Sequence, residues 1–255
     1  MQKIGQVTVF IIVGILILTV VLGAVILRTS ISKKTVGNQL EQIRNPLAAP
    51  VYTYIQSCIY QTGKDAAIYV GEHGGYYELP VIADLKFYLP YYFYENQNKM
   101  PSKAIVEQEI SKYISNELPF CLKNFESFEE LGYEISYSEI ETITTILLDK
   151  VIFNIDFPVS VKRENKEVLL KLFYAEIPIR IGEVHGLINE FMEIQQENAT
   201  NICISCLNNL AFKNNLKAEM YFVRENDYLF KLIDLESDII FEYNFMNKYP
   251  IGDEK

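Results

Sequence analysis

The feature that most constrains this chain is a long apolar segment close to its N-terminus. Twenty-one uncharged and mainly apolar residues run from Val7 to Leu27, between Lys3 and Arg28. At a rise of about 1.5 Å per residue, a helix of this length covers the ~30 Å hydrocarbon core of a bilayer. The segment predicts a single transmembrane helix with the lipid bilayer as its partner.

A cleaved secretory signal peptide is the alternative interpretation of this segment. Such a peptide has an apolar core of roughly 7 to 15 residues and a cleavage site made of small residues. The run here is longer and ends in Ile26-Leu27-Arg28, which is a poor cleavage site. The sequence therefore favours a retained anchor.

The rest of the chain has no second stretch of that length and apolarity. We expect a short leader at 1–6, the membrane helix at 7–27, a connector at 28–49 and one domain at 50–255. Prolines within the connector and at the domain boundary predict a bend rather than one straight rod, because proline interrupts helical hydrogen bonding.

Two patterns in the sequence predict opposite orientations for this domain in the membrane. Lys3 precedes the span, whereas Arg28, Lys33 and Lys34 follow it, and positive residues tend to stay in the cytoplasm. Four cysteines, an even number, suit an oxidising exterior. We expect the large domain to be extracytoplasmic.

The charge of the domain disfavours one class of partner. Beyond residue 34 the chain has 19 basic and 33 acidic residues, a net charge of −14. Binding to phosphate backbones requires Lys and Arg side chains that displace counterions. Nucleic acid is therefore not an expected partner.

Apolar spacing predicts several helices. Residues at helical intervals follow Pro50, and Gly71, Gly74 and Gly75 end the pattern. A second helix is expected to open at Pro101-Ser102, with Pro119 marking a break or a fresh start before Cys121. A third apolar stripe begins after Gly182 and runs towards Asn198.

Antiparallel strands are expected between and after these helices. Residues 76–94 are rich in aromatic and β-branched residues, and residues 133–179 predict a hairpin that turns at 163–166. A second hairpin is expected to turn at 224–227, and a last strand is expected at residues 239–245. Helices alternating with antiparallel strands indicate an α+β fold class.

The four cysteines allow three interpretations, namely structural disulfides, plain reduced cysteines, and redox or metal-binding roles. A bridge between Cys58 and Cys121 would close a loop of about 60 residues and stabilise the domain. Cys203 and Cys206 have the C-x-x-C spacing of redox motifs, of half a zinc site and of local disulfides. Structural disulfides are the preferred interpretation, although the sequence does not choose among the three complete pairings.

Catalytic signatures are sparse, and we expect a non-enzymatic protein without catalytic, metal or cofactor-binding residues. His73 stands in a glycine-rich turn without a nucleophile elbow, and His185 opens a helix. Glu190, Glu193 and Glu197 share the polar face of that helix, as expected for a solvated flank.

Two further surface features carry less weight. Ten tyrosines between residues 52 and 94 could serve a peptide- or glycan-binding surface, but half-buried structural roles are the preferred interpretation. The triplet Asn198-Ala199-Thr200 could accept a glycan at Asn198 if the domain is outside.

The extreme N-terminus resembles a known class of targeting signal. Met1-Gln2-Lys3-Ile4-Gly5-Gln6 precedes the apolar run directly. This arrangement is similar to the class III signal peptide of archaeal type IV pilin-like proteins. The resemblance implies cleavage between Gly5 and Gln6 on the cytoplasmic side, with the apolar helix left in place. The segments at 54–64 and 74–80 also resemble uncharacterised archaeal single-span proteins.

These observations lead to three functional hypotheses. The first is a cell-surface protein for pilin-like assembly or adhesion. The second is a tethered extracytoplasmic binding or sensory domain that does not polymerise. Phe10, which replaces the acidic residue used in pilin assembly, and the bend at Pro46 and Pro50 favour this second hypothesis. The third is an extracytoplasmic thiol oxidoreductase built on Cys203 and Cys206.

Overall fold

A computed structural model describes residues 45–197 and 202–250 and has a mixed α+β fold with two sheets. The predicted leader, membrane span and most of the connector lie outside the described residues, as does the Asn198 triplet. Within the described ranges, none of the helices combines the length and apolarity needed to cross a bilayer.

The helices of the described residues are α1 (Ala49–Glu72), α2 (Lys103–Leu122), the single turn α3 (Glu126–Glu129), α4 (Ile181–Glu197) and α5 (Ile204–Lys213). The first three strands are β1 (Ala83–Asp84), β2 (Leu89–Tyr94) and β3 (Gln97–Asn98). The next four are β4 (Glu134–Tyr137), β5 (Glu141–Ile146), β6 (Val151–Arg163) and β7 (Lys166–Ile177). The last three are β8 (Leu216–Arg224), β9 (Asp227–Asp234) and β10 (Phe241–Lys248).

Helix α1 is the central spine of the fold, and its prediction from apolar spacing is confirmed. Pro50 lies in its first turn, and Val51, Ile55 and Ile59 are completely buried. Its N-terminal half packs on one sheet, where the Tyr52 ring stacks on Phe173. Its C-terminal half packs on the other sheet, so that the helix joins both layers in one core.

Helix α2 runs antiparallel beside α1 and begins where the sequence predicts. The side chain of Ser102 caps it by accepting a hydrogen bond from the Ile105 amide. The predicted break at Pro119 is wrong, because the helix continues to Leu122. Contacts with α1 hold this last turn: Cys121 is bonded to Cys58, and the Tyr54 hydroxyl donates to the Cys121 carbonyl at 2.9 Å.

The first sheet has the strand order β1-β2-β10-β9-β8, with β3 paired to β2. Strands β8 and β9 form the predicted hairpin, and β10 begins within the predicted last strand. Strands β2 and β10 are parallel, a pairing that the sequence did not indicate. The short strands β1 and β2 occupy only part of the predicted strand region at 76–94.

The second sheet is built on the long strand β6. The predicted hairpin of β6 and β7 is confirmed, and β4 and β5 both pair with the other edge of β6. Helix α2 closes the free edge of β5: Ser111 Oγ accepts from the Thr144 amide, and Glu107 Oε1 accepts from the Ile146 amide. These side chains satisfy edge groups that would otherwise be open to further strands.

Candidate docking surface

The most unusual surface of the described residues is a loop with five exposed apolar side chains, which we name the 81–88 loop. Val81 is fully exposed, Leu85 is 83% exposed, and Ile82, Phe87 and Tyr88 are 36–46% exposed. Apolar side chains that are grouped and exposed in this way mark interaction sites more often than single ones do. The sequence predicts strands across this region, and within the loop the structure forms only the two-residue strand β1.

The 81–88 loop is ordered by the carboxylate of Asp84, whose side chain is completely buried. Asp84 Oδ1 accepts hydrogen bonds from the backbone amides of Lys86 at 2.9 Å and Phe87 at 3.0 Å. The Tyr91 amide also donates to the Ile82 carbonyl, at 3.1 Å. The loop therefore presents its apolar side chains from a fixed backbone, which lowers the entropic cost of binding.

An ion network attaches this loop to the outer face of the first sheet. Arg224, at the end of β8, pairs with Asp84 Oδ2 and donates from Nε to Asp227 at 3.1 Å. The Tyr91 hydroxyl donates to Asp227 at 2.9 Å, and Lys248 lies 3.8 Å from the same carboxylate. Two buried carboxylates thus face two cations, and the network is balanced in charge.

The pKa values in this network follow from burial and hydrogen bonding. Burial by itself raises the pKa of Asp84, but the amides of Phe87 and Lys86 and the Arg224 guanidinium outweigh it and lower the pKa below its ordinary value. Burial and the hydrogen bond to Asp227 raise the pKa of Tyr91. At neutral pH, Asp84 is charged and the Tyr91 hydroxyl is protonated, so both act as loop-fixing groups.

An aromatic cluster adjoins the loop at the C-terminal end of α1. The His73 ring stacks on Tyr69 with centroids 4.0 Å apart, and Tyr88 of the loop contacts His73 edge-on at 5.9 Å. Tyr77 and Tyr113 pack on Tyr69 at 6.0 and 5.3 Å. His73 Nδ1 donates to the Tyr69 carbonyl at 2.7 Å, so this histidine packs in the glycine-rich turn that the sequence predicts. The cluster therefore supports the loop on one side, through the contact between His73 and Tyr88.

Glycines permit the close packing beneath the loop. Gly74 has a φ of +60°, and a Cβ there would lie 2.8 Å from the Asn244 carbonyl oxygen. Gly75 follows with a φ of +81°. Both conformations are unfavourable for other residues, which explains why the helix ends in this glycine pair.

The cysteines form two disulfide bonds in different settings. Cys58 and Cys121 join α1 to α2 across a sequence separation of 63, and Cys58 is buried. Cys203 and Cys206 are bonded at the start of α5, where Cys203 is the N-cap residue and both side chains are partly exposed.

The remaining candidate residues have structural surroundings. His185 is buried, its Nε2 donates to the Pro101 carbonyl at 2.9 Å, and burial lowers its pKa. Glu190, Glu193 and Glu197 are exposed along the solvent face of α4, as expected. The part of the chain that the structure describes contains no group of three or more acidic, histidine or cysteine side chains suited to a metal ion.

The ten tyrosines that the sequence singled out do not form one surface. Tyr52, Tyr91 and Tyr92 are buried, Tyr60 and Tyr88 are exposed, and the other five are partly buried. Sequence reasoning missed Asp84 and Arg224 as surface-organising residues. Asp84 stands two and three residues before the amides that it binds, and this spacing is a turn signal that the sequence could have revealed. Its partner Arg224 is 140 residues away, so no local pattern indicates that contact.

Comparisons of this chain with protein-family models, with curated proteins and with solved structures find no significant match.

Proposed function

We propose that this chain is a non-enzymatic cell-surface protein, held in the membrane by Val7 to Leu27, whose external domain serves assembly or adhesion. The observation that carries the proposal is the 81–88 loop. Its apolar side chains remain in water although its backbone is fixed by Asp84. Exposed apolar surface lowers its free energy when a partner covers it.

The position of the loop relative to the predicted anchor supports this function. The predicted connector ends at residue 49, where α1 begins. Tyr88 of the loop contacts His73, at the opposite end of this 24-residue helix. A helix of that length spans about 36 Å, so the docking surface is well separated from the point where the anchor joins the domain.

The composition of the domain is compatible with an external location. Two disulfide bonds are typical of oxidising compartments. The net charge of −14 beyond residue 34 keeps neighbouring domains dispersed unless a specific contact forms. Specific contact would then depend on a localised apolar surface such as the loop.

A tethered binding or sensory domain that does not polymerise is the second candidate. It would use the same loop for a soluble partner and is favoured by Phe10, Pro46 and Pro50. The third hypothesis, thiol chemistry, depends on Cys203 and Cys206, which are partly exposed at the start of a helix. Replacing Cys206 with Ser should lower stability only, whereas an oxidoreductase would lose turnover.

The first experiment identifies the N-terminal residue and the orientation of the protein in native membranes. Mass spectrometry of the terminal peptide is expected to find Gln6, and protease added to intact cells is expected to digest the domain. A start at Met1 together with full protection from protease would refute the proposal.

A second experiment separates assembly from simple tethering. Shearing of cells should release the wild-type protein into the surface fraction, and Leu85→Asp should keep it in the membrane fraction. Leu169→Asp is the matched control, because Leu169 is 60% exposed on the second sheet and remote from the loop in sequence. Retention of all three proteins in the membrane fraction would support the non-polymerising alternative.

A further inference from the structure

A second apolar surface lies between α2 and the β4–β5 connection and has the form of an open cleft. Its volume is about 610 Å³, and its walls include Asn116, Pro119, Tyr137, Glu139 and Ile140. Pockets of roughly 300 to 1,000 Å³ accept several apolar groups at once. The cleft is therefore large enough for protruding side chains such as Leu85 and Phe87.

The charges of the two surfaces are complementary. The 81–88 loop has Lys86 between two of its exposed apolar positions, Leu85 and Phe87. The cleft has exposed Glu139 in its lining, and Glu141 is exposed two residues later. Docking of the loop in the cleft would bring one cation to these carboxylates while covering apolar side chains on both sides.

The two surfaces are in different places on the molecule. The loop contacts His73 at the end of α1, whereas the cleft adjoins the part of α2 near Cys121, which is bonded to Cys58. None of the loop residues, all of which the structure describes, lines the cleft, and the hydrogen bonds of Asp84 to the loop amides fix the loop backbone outside it. With the loop held in this position, only the loop of a second copy can occupy the cleft.

We propose that the 81–88 loop of one copy docks in the Asn116–Ile140 cleft of a second copy of this chain. This inference rests on the proposed role in surface assembly and specifies its contact. Because the donor and acceptor surfaces differ, the contact is heterologous and leaves a free loop at one end and a free cleft at the other. Repetition of the contact produces a head-to-tail chain of subunits, which stays open unless the rotation at each step closes it into a ring.

Two exposed substitutions test the two surfaces separately in the full-length protein in mild detergent. Leu85→Asp inactivates the loop and Asn116→Lys obstructs the cleft, and both positions are exposed, so the fold should be retained. Because the Asn116 side chain also forms a hydrogen bond with Tyr77 beside the loop, hydrogen exchange of the loop amides should be the same in Asn116→Lys as in the wild type. Sedimentation velocity should show concentration-dependent oligomers for the wild type and Leu169→Asp. Each test variant should weaken association by about 10-fold or more, as expected for a central interface residue.

Mixing the two variants provides the decisive measurement. The intact loop of Asn116→Lys should enter the intact cleft of Leu85→Asp, and growth should stop at a 1:1 heterodimer.

A charge exchange gives a second check. Lys86→Glu and Glu139→Lys should each weaken association, and the double variant should recover it.

Three outcomes would overturn the inference. They are a wild type that sediments as a monomer up to 100-fold above its cellular concentration, a mixture of variants that remains monomeric, and an Asn116→Lys variant that associates like the wild type. Binding of the wild type but not Leu85→Asp to phosphatidylcholine vesicles, without oligomers, would instead assign the loop to lipid. If self-association fails while Leu85→Asp still abolishes release by shearing, the surface function stands and only its partner changes.

Discussion

The disulfide between Cys58 and Cys121 should contribute about twice as much to stability as the one between Cys203 and Cys206. The first bond closes a sequence separation of 63 and the second a separation of 3. The chain-entropy relation gives about 4 kcal/mol for the longer loop and about 2 kcal/mol for the shorter one. Total unfolding free energies of domains are roughly 5 to 15 kcal/mol, so the first bond supplies a large share.

The structure gives a second reason to expect this difference. Cys58 is buried in the contact between α1 and α2, and the Tyr54 hydroxyl donates to the carbonyls of Cys121 and Leu122 beside the bond. Loss of the bond would also release the last turn of α2. Pro119 lies at the start of this turn, and proline has no N–H to donate a hydrogen bond to the preceding turn. Cys203 and Cys206 constrain only the first turn of α5.

The assay compares two double variants, Cys58→Ala/Cys121→Ala and Cys203→Ala/Cys206→Ala, by urea unfolding followed with pulse proteolysis of the full-length protein. The first variant should lose about 4 kcal/mol and the second about 2 kcal/mol. Wild-type protein in reductant should lose about the sum, since distant bonds act independently. Equal losses in the two variants, or a larger loss in the second, would refute the reasoning.

Three further predictions concern the loop and the sheet edges. Asp84→Asn should loosen the 81–88 loop by about 1–3 kcal/mol, because a charged hydrogen-bond acceptor is lost, and hydrogen exchange of the loop amides should report it. In the wild type, the lowered pKa of Asp84 means that its contribution is complete at neutral pH and is lost as the pH falls below about 4 towards the folded-state pKa; protection of the loop amides relative to their intrinsic exchange rates that stays constant down to pH 2 would contradict this. Gly74→Ala should lower the unfolding free energy by about 1–3 kcal/mol, because its Cβ would meet a backbone carbonyl at a positive φ; an unchanged Tm would be inconsistent with it. Glu107→Ala should leave the Ile146 amide without its acceptor, costing about 1–3 kcal/mol, and light scattering should show more aggregation than for Glu190→Ala on a solvated face.

The sequence pattern was sufficient to predict those elements in which the buried residues recur at a constant helical or strand spacing. Val51, Ile55 and Ile59 recur at helical spacing and all face the core, so α1 was predictable. The hairpin of β6 and β7 was predictable for the same reason, since alternate residues such as Val151, Phe153 and Ile155 are buried. In these elements local preference and tertiary packing agree.

Distant contacts decided the features that the sequence did not reveal. Pro119 is locally typical of a helix end, but the helix continues to Leu122, where Cys121 is bonded to Cys58 and accepts a hydrogen bond from Tyr54. The parallel pairing of β2 with β10 joins Tyr91 to Met246, far apart along the chain. No local window contains both partners of such contacts, so no local pattern could predict them.

The 81–88 loop combines both situations and shows why its role was missed. Val81, Ile82 and Leu85 have the composition of a buried strand, and apolar periodicity predicts burial for them. Asp84 reverses that outcome: its carboxylate turns inward to Arg224 and binds the loop amides, so the apolar side chains on either side turn outward. One buried charge, paired across 140 residues, thereby converts a strand-like segment into a surface. Because that charge would be costly to bury unpaired, the loop and the end of β8 must form together, and the exposed surface exists only in the folded domain.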